Sequence, residues 1–322
     1  MKLSVEEAIK ILYKGGVIAI PTETVYGLAA DATNKKAIER IYEIKNRPTD
    51  NPLICHFYSF VQAKPFLASY PKYVEMLVNQ FTPGPVSFLL PLNMPSSLQA
   101  ATRGSAHVII RIPMHELLLK LLKKISFPLA APSANTSGKY SATTAEMVEA
   151  DLGKKIEGVL DGGASSIGLE STILDCRNKD EIKILRPGVI GKEDIEWCLR
   201  NENVKVIDTL SFELATPGSK YKHYSPATPV FQIHTESEIP VKKNIAVIGF
   251  EEDFKNVSSS ENLKFISLGS ENNLSEVASS LYRKMFELDA LKVSEAYLLQ
   301  RDFGNSAIGK AISNRLEHML SR

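Results

Sequence analysis

What this 322-residue chain lacks most plainly is an excess of charge of one sign: 38 lysines and arginines stand against 37 aspartates and glutamates, a formal net charge of +1. Such a balance exerts no global pull on nucleic acid or on an anionic membrane, so an anion-binding site has to come from locally concentrated charge. Cysteine is scarce. Cys55, Cys176 and Cys198 are the three present, widely spaced and without a CxxC pair, which argues against a disulfide framework and a zinc site. No stretch reaches the roughly 18–20 apolar residues of a membrane-spanning helix. Residues 1–16 carry Glu6, Glu7, Lys10 and Lys14 and no apolar signal-peptide core. There is no HExxH, no His/Cys cluster at metal spacing, no GxGxxG after a strand and no GxxxxGK(S/T). A cytoplasmic protein with no membrane association and no metal ligands of its own is expected.

What is present is an ordinary globular composition, 44% hydrophobic and 23% charged, in a chain long enough to favour two domains. Ser4-Val5-Glu6-Glu7 is a capping box opening a helix with Val5, Ala8, Ile9 and Leu12 on its apolar side, ended by Gly15-Gly16. Residues 17–21 then read as a buried strand. Thr33 can cap a second helix, with Ala37, Ile41 and Ile44 on one face and Pro48 closing it. Apolar runs at 52–57, 86–92, 107–113, 128–132, 157–162, 171–176 and 182–187 alternate with helical stretches at 71–80, 114–124 and 143–151. This is the pattern of an α/β domain over 1–207 with a largely buried sheet. Residues 208–229 hold three prolines and no amphipathic period, and read as a linker. Beyond it, strands at 244–250, 265–269 and 295–300, with helices at 274–290 and 306–320, predict a small βαβ-type α/β domain over 230–322.

Polar clusters sit at the ends of several strands. Lys45-Asn46-Arg47-Pro48 places a point charge and a planar fork two residues apart, Arg47 being biased to extended backbone by the proline. The two cations can converge on one anion, or simply complement the negative helix end. Residues 132–138 (PSANTSG) follow the strand at 128–131, where open α/β sheets bind ligands. They can orient phosphate or carboxylate oxygens, or form a turn. In PTETVYGL at 21–28, Thr24 can meet a ligand or prolong the strand. Arg111, inside the apolar run HVIIRIP, needs a partner if buried: an anionic ligand or a structural ion pair. Residues 168–172 and 185–188 also put polar groups at strand edges. His56 reads as an ordinary strand histidine. Lys220, Lys222, His223 and Tyr224 either touch a nucleotide or stay solvated.

Taken in order, PTETVYGLAADA (21–32), KNRPTDNPL (45–53), FTPGPVSFLL (81–90), APSANTSGKYSATTAE (131–146), LESTILD (169–175), ILRPGVI (184–190) and KYKHYSP (220–226) resemble the threonylcarbamoyl-AMP synthase (YrdC-like) family, in its longer two-domain branch. The match covers about residues 1–230. The K-x-R and S-x-N signatures are specific in combination and within these flanks. The resemblance implies a YrdC-like twisted mixed-sheet domain followed by a small Rossmann-like α/β domain. It implies a nucleotidyltransferase that condenses L-threonine, bicarbonate and ATP to threonylcarbamoyl-AMP and pyrophosphate. The product would pass to a tRNA threonylcarbamoyltransferase. Magnesium would arrive with the ATP phosphates, and direct contact with tRNA is left open.

By similarity, Thr24, His56, Arg111, Ala131 (through its backbone) and Ser171 line the threonine pocket. Arg47, Asn51, His107, Ser133, Ser141, Arg186 and Tyr224 contact the nucleotide. Lys45, Arg47, Ser133 and Asn135 form the catalytic signature, Lys45 holding the bicarbonate-derived carboxylate. The linker around Tyr224 is implied to fold over the cavity as a lid. The chain departs from the family in reading Ser141-Ala142-Thr143 for Ser-Pro-Thr, in Ser219 where Met is common, and in Val86-Ser87-Phe88. Two other readings compete. A carbamoyl-adenylate chemistry like that of the related hydrogenase-maturation domain goes with zinc-binding cysteine pairs, which this chain lacks. An RNA-binding module would call for a dense basic stripe and more than 8% aromatic residues.

Overall fold

The computed structural model describes residues 1–208, 223–240, 244–254 and 263–320, to which the statements below refer. Residues 209–222, most of the expected linker and including Ser219, Lys220 and Lys222, lie outside them. The first sheet is built from β1 (Ile18–Ile20), β2 (Gly27–Asp31), β3 (Ile54–His56), β4 (Val86–Pro91), β5 (His107–Arg111), β6 (Leu129–Ala130), β7 (Gly158–Val159), β8 (Thr172–Asp175), β9 (Glu181–Arg186) and β10 (Lys205–Asp208). Its strand order is β10-β9-β8-β4-β5-β3-β6-β2-β1-β7. Parallel pairs (β3 with β5, β4 with β8) alternate with antiparallel ones (β4 with β5, β3 with β6), so the sheet is mixed as expected. A second sheet, order β11-β14-β12-β13, is all parallel and consists of β11 (Val230–Ile233), β12 (Ile245–Gly249), β13 (Leu263–Ser267) and β14 (Glu295–Leu299).

The helices are α1 (Val5–Tyr13), α2 (Lys35–Lys45), the short α3 (Phe60–Ala63), α4 (Tyr73–Phe81), the short α5 (Gln99–Thr102), α6 (Glu116–Lys124), α7 (Ala145–Leu152), α8 (Lys192–Cys198), α9 (Leu274–Ala290) and α10 (Ala307–Met319). The Ser4–Glu7 capping box is formed, and α1 buries Ala8 and Leu12. The cap of α2 differs from expectation. Asn34, not Thr33, accepts from the Lys36 and Ala37 amides, because Thr33 is already bonded to the Asp31 carboxylate at 2.7 Å. An Asx side chain outcompetes a threonine hydroxyl that has a closer local acceptor. β2, β10 and β11 fall outside the strands that the sequence pattern predicts. Gly-Leu-Ala-Ala-Asp in β2 carries no β-branched residue, and its strand state comes from pairing with β1 and β6 rather than from propensity.

One hydrophobic cluster runs from the first sheet into the second unit. Leu169, Leu174 and Ile184 share it with Ala278, Leu281, Tyr282, Ile312 and Leu316 of α9 and α10. Each fully buried aliphatic side chain contributes about 1.5–3 kcal/mol relative to exposure, so the two units share one core, with α9 meeting the first unit at Gly168 and α10 at Pro187. No helix among the described residues is long and apolar enough to cross a membrane.

Candidate active site

Register in the middle of the first sheet decides which side chains meet. His56 stands opposite Arg111 across β3–β5, Arg111 opposite Ser87 across β4–β5, and Ser87 opposite Ile173 across β4–β8. Arg186, the last residue of β9, also pairs with Ile173. The two-residue period of a strand puts Ile54 with His56, and Ile109 with Arg111, on one face. A cavity of about 60 Å³ opens on that face, walled by Arg47, Ile54, His56, Arg111, Ala131, Ser133, Glu170 and Arg186, with Thr22 and Tyr26 from the loop after β1. Ala131 is set against β3 by its amide, which donates to the Ile54 carbonyl at 2.9 Å. His223 and Tyr224, arriving from beyond the first sheet, close one side.

Three arginines meet there. Arg47 follows the left-handed Asn46 (φ 51°), whose turn reverses the chain at the end of α2. Its guanidinium donates to the carbonyls of Asn51 and Pro52 at 3.1 and 3.0 Å. Burial lowers it to about 10. Arg186 donates to the Ser171 carbonyl at 3.0 Å and to its hydroxyl at 3.1 Å, and the Ser171 hydroxyl meets that of Ser87 at 2.8 Å. Arg111 is 4% exposed and lies 2.8 Å from the buried Glu23 carboxylate. That contact is an ion pair made through Nη2, while Nε of Arg111 finds no hydrogen-bond acceptor among the described residues. A buried guanidinium on a cavity wall with an unsatisfied Nε–H can donate to an oxyanion. Beside it, burial first and then the Arg111 charge push His56 down to about 3, so His56 is neutral at physiological pH.

The S-x-N loop is organised from behind. Lys45, 1% exposed, donates through Nζ to the carbonyls of Ser133 at 2.6 Å and Asn135 at 2.5 Å, while its own carbonyl accepts from Ser137 at 2.8 Å. Burial, reinforced by the Arg47 charge, brings the Lys45 ammonium well below its ordinary value. Asn135 turns its amide onto the carbonyls of Thr136 and Lys139, both at 2.9 Å. Of this signature, Ser133 and Arg47 reach the cavity wall, whereas Lys45 and Asn135 stand behind it and shape the loop. Thr24 is likewise one layer back, its hydroxyl 2.8 Å from that of Thr22, which does face the cavity. Ser141 donates to Glu170 at 2.6 Å. Asn51 presents its carbonyl to Arg47 and Tyr42.

One expected residue is placed elsewhere. His107 begins β5, at the opposite end of the strand from Arg111, and its Nε2 lies 3.3 Å from Arg177. It lines a separate surface depression with Asp175, Asn178 and Lys183. The strand rise of about 3.3 Å per residue keeps it about 13 Å from the Arg111 end. A search for cations also passes over the carboxylates Glu23 and Glu170. Both lie inside the motifs PTETVYGL and LESTILD, where an acid in a buried setting beside a buried arginine is the available signal. Among the described residues no three His, Cys, Asp or Glu side chains are grouped to hold a metal ion.

A mixed α/β sheet whose cavity wall gathers three buried arginines, a neutral histidine and a hydroxyl-bearing loop has the chemistry of an anion-binding protein. Residues 10–188 match the Sua5/YciO/YrdC family model, described as telomere recombination, and residues 190–318 match the model of the threonylcarbamoyl-AMP synthase C-terminal domain. A threonylcarbamoyl-AMP synthase of Bacillus subtilis is 37% identical over 323 residues, covering 97% of this chain and 91% of that protein. One from Pyrococcus abyssi is 36% identical, covering 94% and 90%. The crystal structure of P. abyssi Sua5 complexed with L-threonine superposes with a TM-score of 0.83 at 32% identity, covering 98% of this chain and 93% of that one. The chain belongs to the threonylcarbamoyl-AMP synthase family, in its two-domain form.

Proposed function

We propose that this cavity condenses L-threonine, bicarbonate and ATP into threonylcarbamoyl-AMP, releasing pyrophosphate, and that the product serves tRNA threonylcarbamoyladenosine formation. The observation that carries the reading is Arg111: a buried guanidinium on the cavity wall, paired with Glu23 through Nη2 but with Nε unsatisfied, beside neutral His56 and the Ala131 backbone, suits an amino-acid carboxylate. Arg47 and Arg186 supply charge for the polyphosphate, and Ser133 a hydroxyl on the same cavity wall. Every reactant carries at least one anionic group, and three arginines concentrated in one place answer that need in a chain of net charge +1.

The chemistry needs no side-chain nucleophile. The threonine amine and bicarbonate form a carbamate with loss of water. A carbamate oxygen then bonds to the α-phosphorus of ATP as the bond to the β-phosphate oxygen breaks, and pyrophosphate leaves with the electron pair. The protein's contribution is alignment and stabilisation of negative charge. Magnesium accompanies the ATP phosphates, since the cavity offers arginines rather than grouped carboxylates. Lys45 acts through the Ser133–Asn135 loop.

A cavity of about 60 Å³ is far below the roughly 300 Å³ and more of a small-molecule site. His223 and Tyr224 therefore have to swing out to admit the nucleotide and can close again over it, excluding water. The test is pyrophosphate release measured with threonine and bicarbonate each omitted in turn. Release that is indifferent to threonine would falsify the assignment.

A further inference from the structure

Glu170 sits on the cavity wall in the first sheet's unit, yet most of what orients it comes from the second. Its Oε1 accepts from Ser141 at 2.6 Å. Its Oε2 accepts from the Tyr282 hydroxyl of α9 at 3.0 Å and from Nε of Arg315 in α10 at 2.9 Å. Arg315 is completely buried. Its Nη2 reaches the Glu170 carbonyl at 3.4 Å and its Nη1 the Pro187 carbonyl at 2.8 Å. One planar fork thus ties the segment that bears Ser171 to the residue that follows Arg186 at the end of β9, a geometry a lysine cannot reproduce. The Tyr224 ring stacks on Tyr282 with centroids 5.7 Å apart and lies under the Arg315 guanidinium at 5.5 Å. Tyr224 itself is left-handed (φ 65°), a conformation that costs a non-glycine residue energy and persists only where the surroundings over-determine it.

We propose that Arg315, seconded by Tyr282, is a positioning residue of the site: it holds the Glu170 carboxylate on Ser141 and seats Tyr224 against the cavity. The physical reason is competition for Glu170. The charges of Arg315 and Arg186 both act on its carboxylate, and a buried carboxylate deprived of one cation turns to the next. Without Arg315, Glu170 swings toward Arg186 and draws that guanidinium off the polyphosphate. Through this contact α9 and α10, in the second unit, set the charge balance of a cavity they do not line.

This inference rests on reading the cavity as the nucleotide and threonine site. Its test is steady-state pyrophosphate release by the full chain, with ATP and threonine varied separately. Tyr282→Phe removes one hydroxyl and keeps the stacked ring. It is expected to raise KM for ATP about three- to tenfold with kcat within about twofold. Arg315→Met should raise it further, about thirtyfold or more. Adding Glu170→Gln to Arg315→Met should then recover about fivefold, because no unpaired carboxylate is left to turn on Arg186. A merely structural Arg315 gives the opposite: the double variant is no better than Arg315→Met, and that outcome overturns the proposal. If Arg315→Met does not fold, Tyr282→Phe and Arg315→Lys decide, and unchanged KM values in both overturn it. Wild-type chain that releases no pyrophosphate sinks the reading of the cavity, and this inference with it. Wild-type turnover with unchanged KM in the variants sinks this inference alone.

Discussion

Replacing Lys45 with methionine separates two ways in which a signature lysine can matter. In the structure its ammonium is spent on the carbonyls of Ser133 and Asn135. Methionine keeps the stem and removes both donors. The Asn135 carbonyl is buried, and a buried acceptor left unsatisfied costs about 1–3 kcal/mol. The Ser133 carbonyl is only partly buried, and water can take up part of its loss, for about 0.5–1.5 kcal/mol. Relief from burying an ammonium offsets some of this, which leaves a net destabilisation of roughly 1–3 kcal/mol. For a chain of this size that is a fall in Tm of about 1–5 °C. The Ser133 hydroxyl would shift with its loop, and a displacement near 1 Å at a reacting centre costs on the order of 100-fold in rate. Differential scanning calorimetry and pyrophosphate release on the same preparation check both numbers. A Lys45→Met chain with wild-type Tm and no turnover would refute the reasoning, because the ammonium would then be acting on substrate and not on the loop.

Arg111→Met leaves the Glu23 carboxylate buried without its cation, which should cost about 3–5 kcal/mol. Adding Glu23→Gln should restore most of the stability while KM for threonine stays high, and a double variant that recovers neither would contradict the ion-pair account. His56 titrates near 3 in the folded chain against about 6.5 unfolded, so between those values only the unfolded state takes up the proton. Its contribution to stability is full above about pH 6.5 and is lost as pH falls, by about 2 kcal/mol at pH 5. Urea midpoints at pH 7 and pH 5 should diverge by that much more in wild type than in His56→Asn; parallel slopes would remove the effect. Excess EDTA should stop pyrophosphate release yet leave the Tm of nucleotide-free chain unchanged within about 1 °C, whereas a large drop would reveal a metal held by the protein itself.

Much of the local structure is written in short stretches of sequence. The Ser4–Glu7 box, the apolar runs that form β3, β4, β5 and β8, and the placing of polar clusters just past strand ends are all readable. Each depends on contacts within a few residues or on a simple period. The pattern fails where neighbours override propensity. β2 is a strand because β1 and β6 pair with it, and Thr33 gives up its cap because Asp31 stands closer. The site shows the same divide. Arg111 reads in sequence as a buried cation needing a partner, with a ligand and an ion pair both open; it has Glu23 at 2.8 Å, and its Nε still finds no acceptor among the described residues.

The α/β class and the two cation- and hydroxyl-bearing signatures are legible in the sequence, and family resemblance adds the substrates proposed for them. Tertiary structure alone decided which of those residues face the cavity. It turned Lys45 and Asn135 into the loop's supports, sent His107 to the far end of β5, and brought Tyr282 and Arg315 onto Glu170 across 112 and 145 residues of chain. The reason is physical. Caps and periodicities are settled among near neighbours, but the partner of a buried charge is chosen by packing between segments far apart in sequence, and no local pattern encodes that choice.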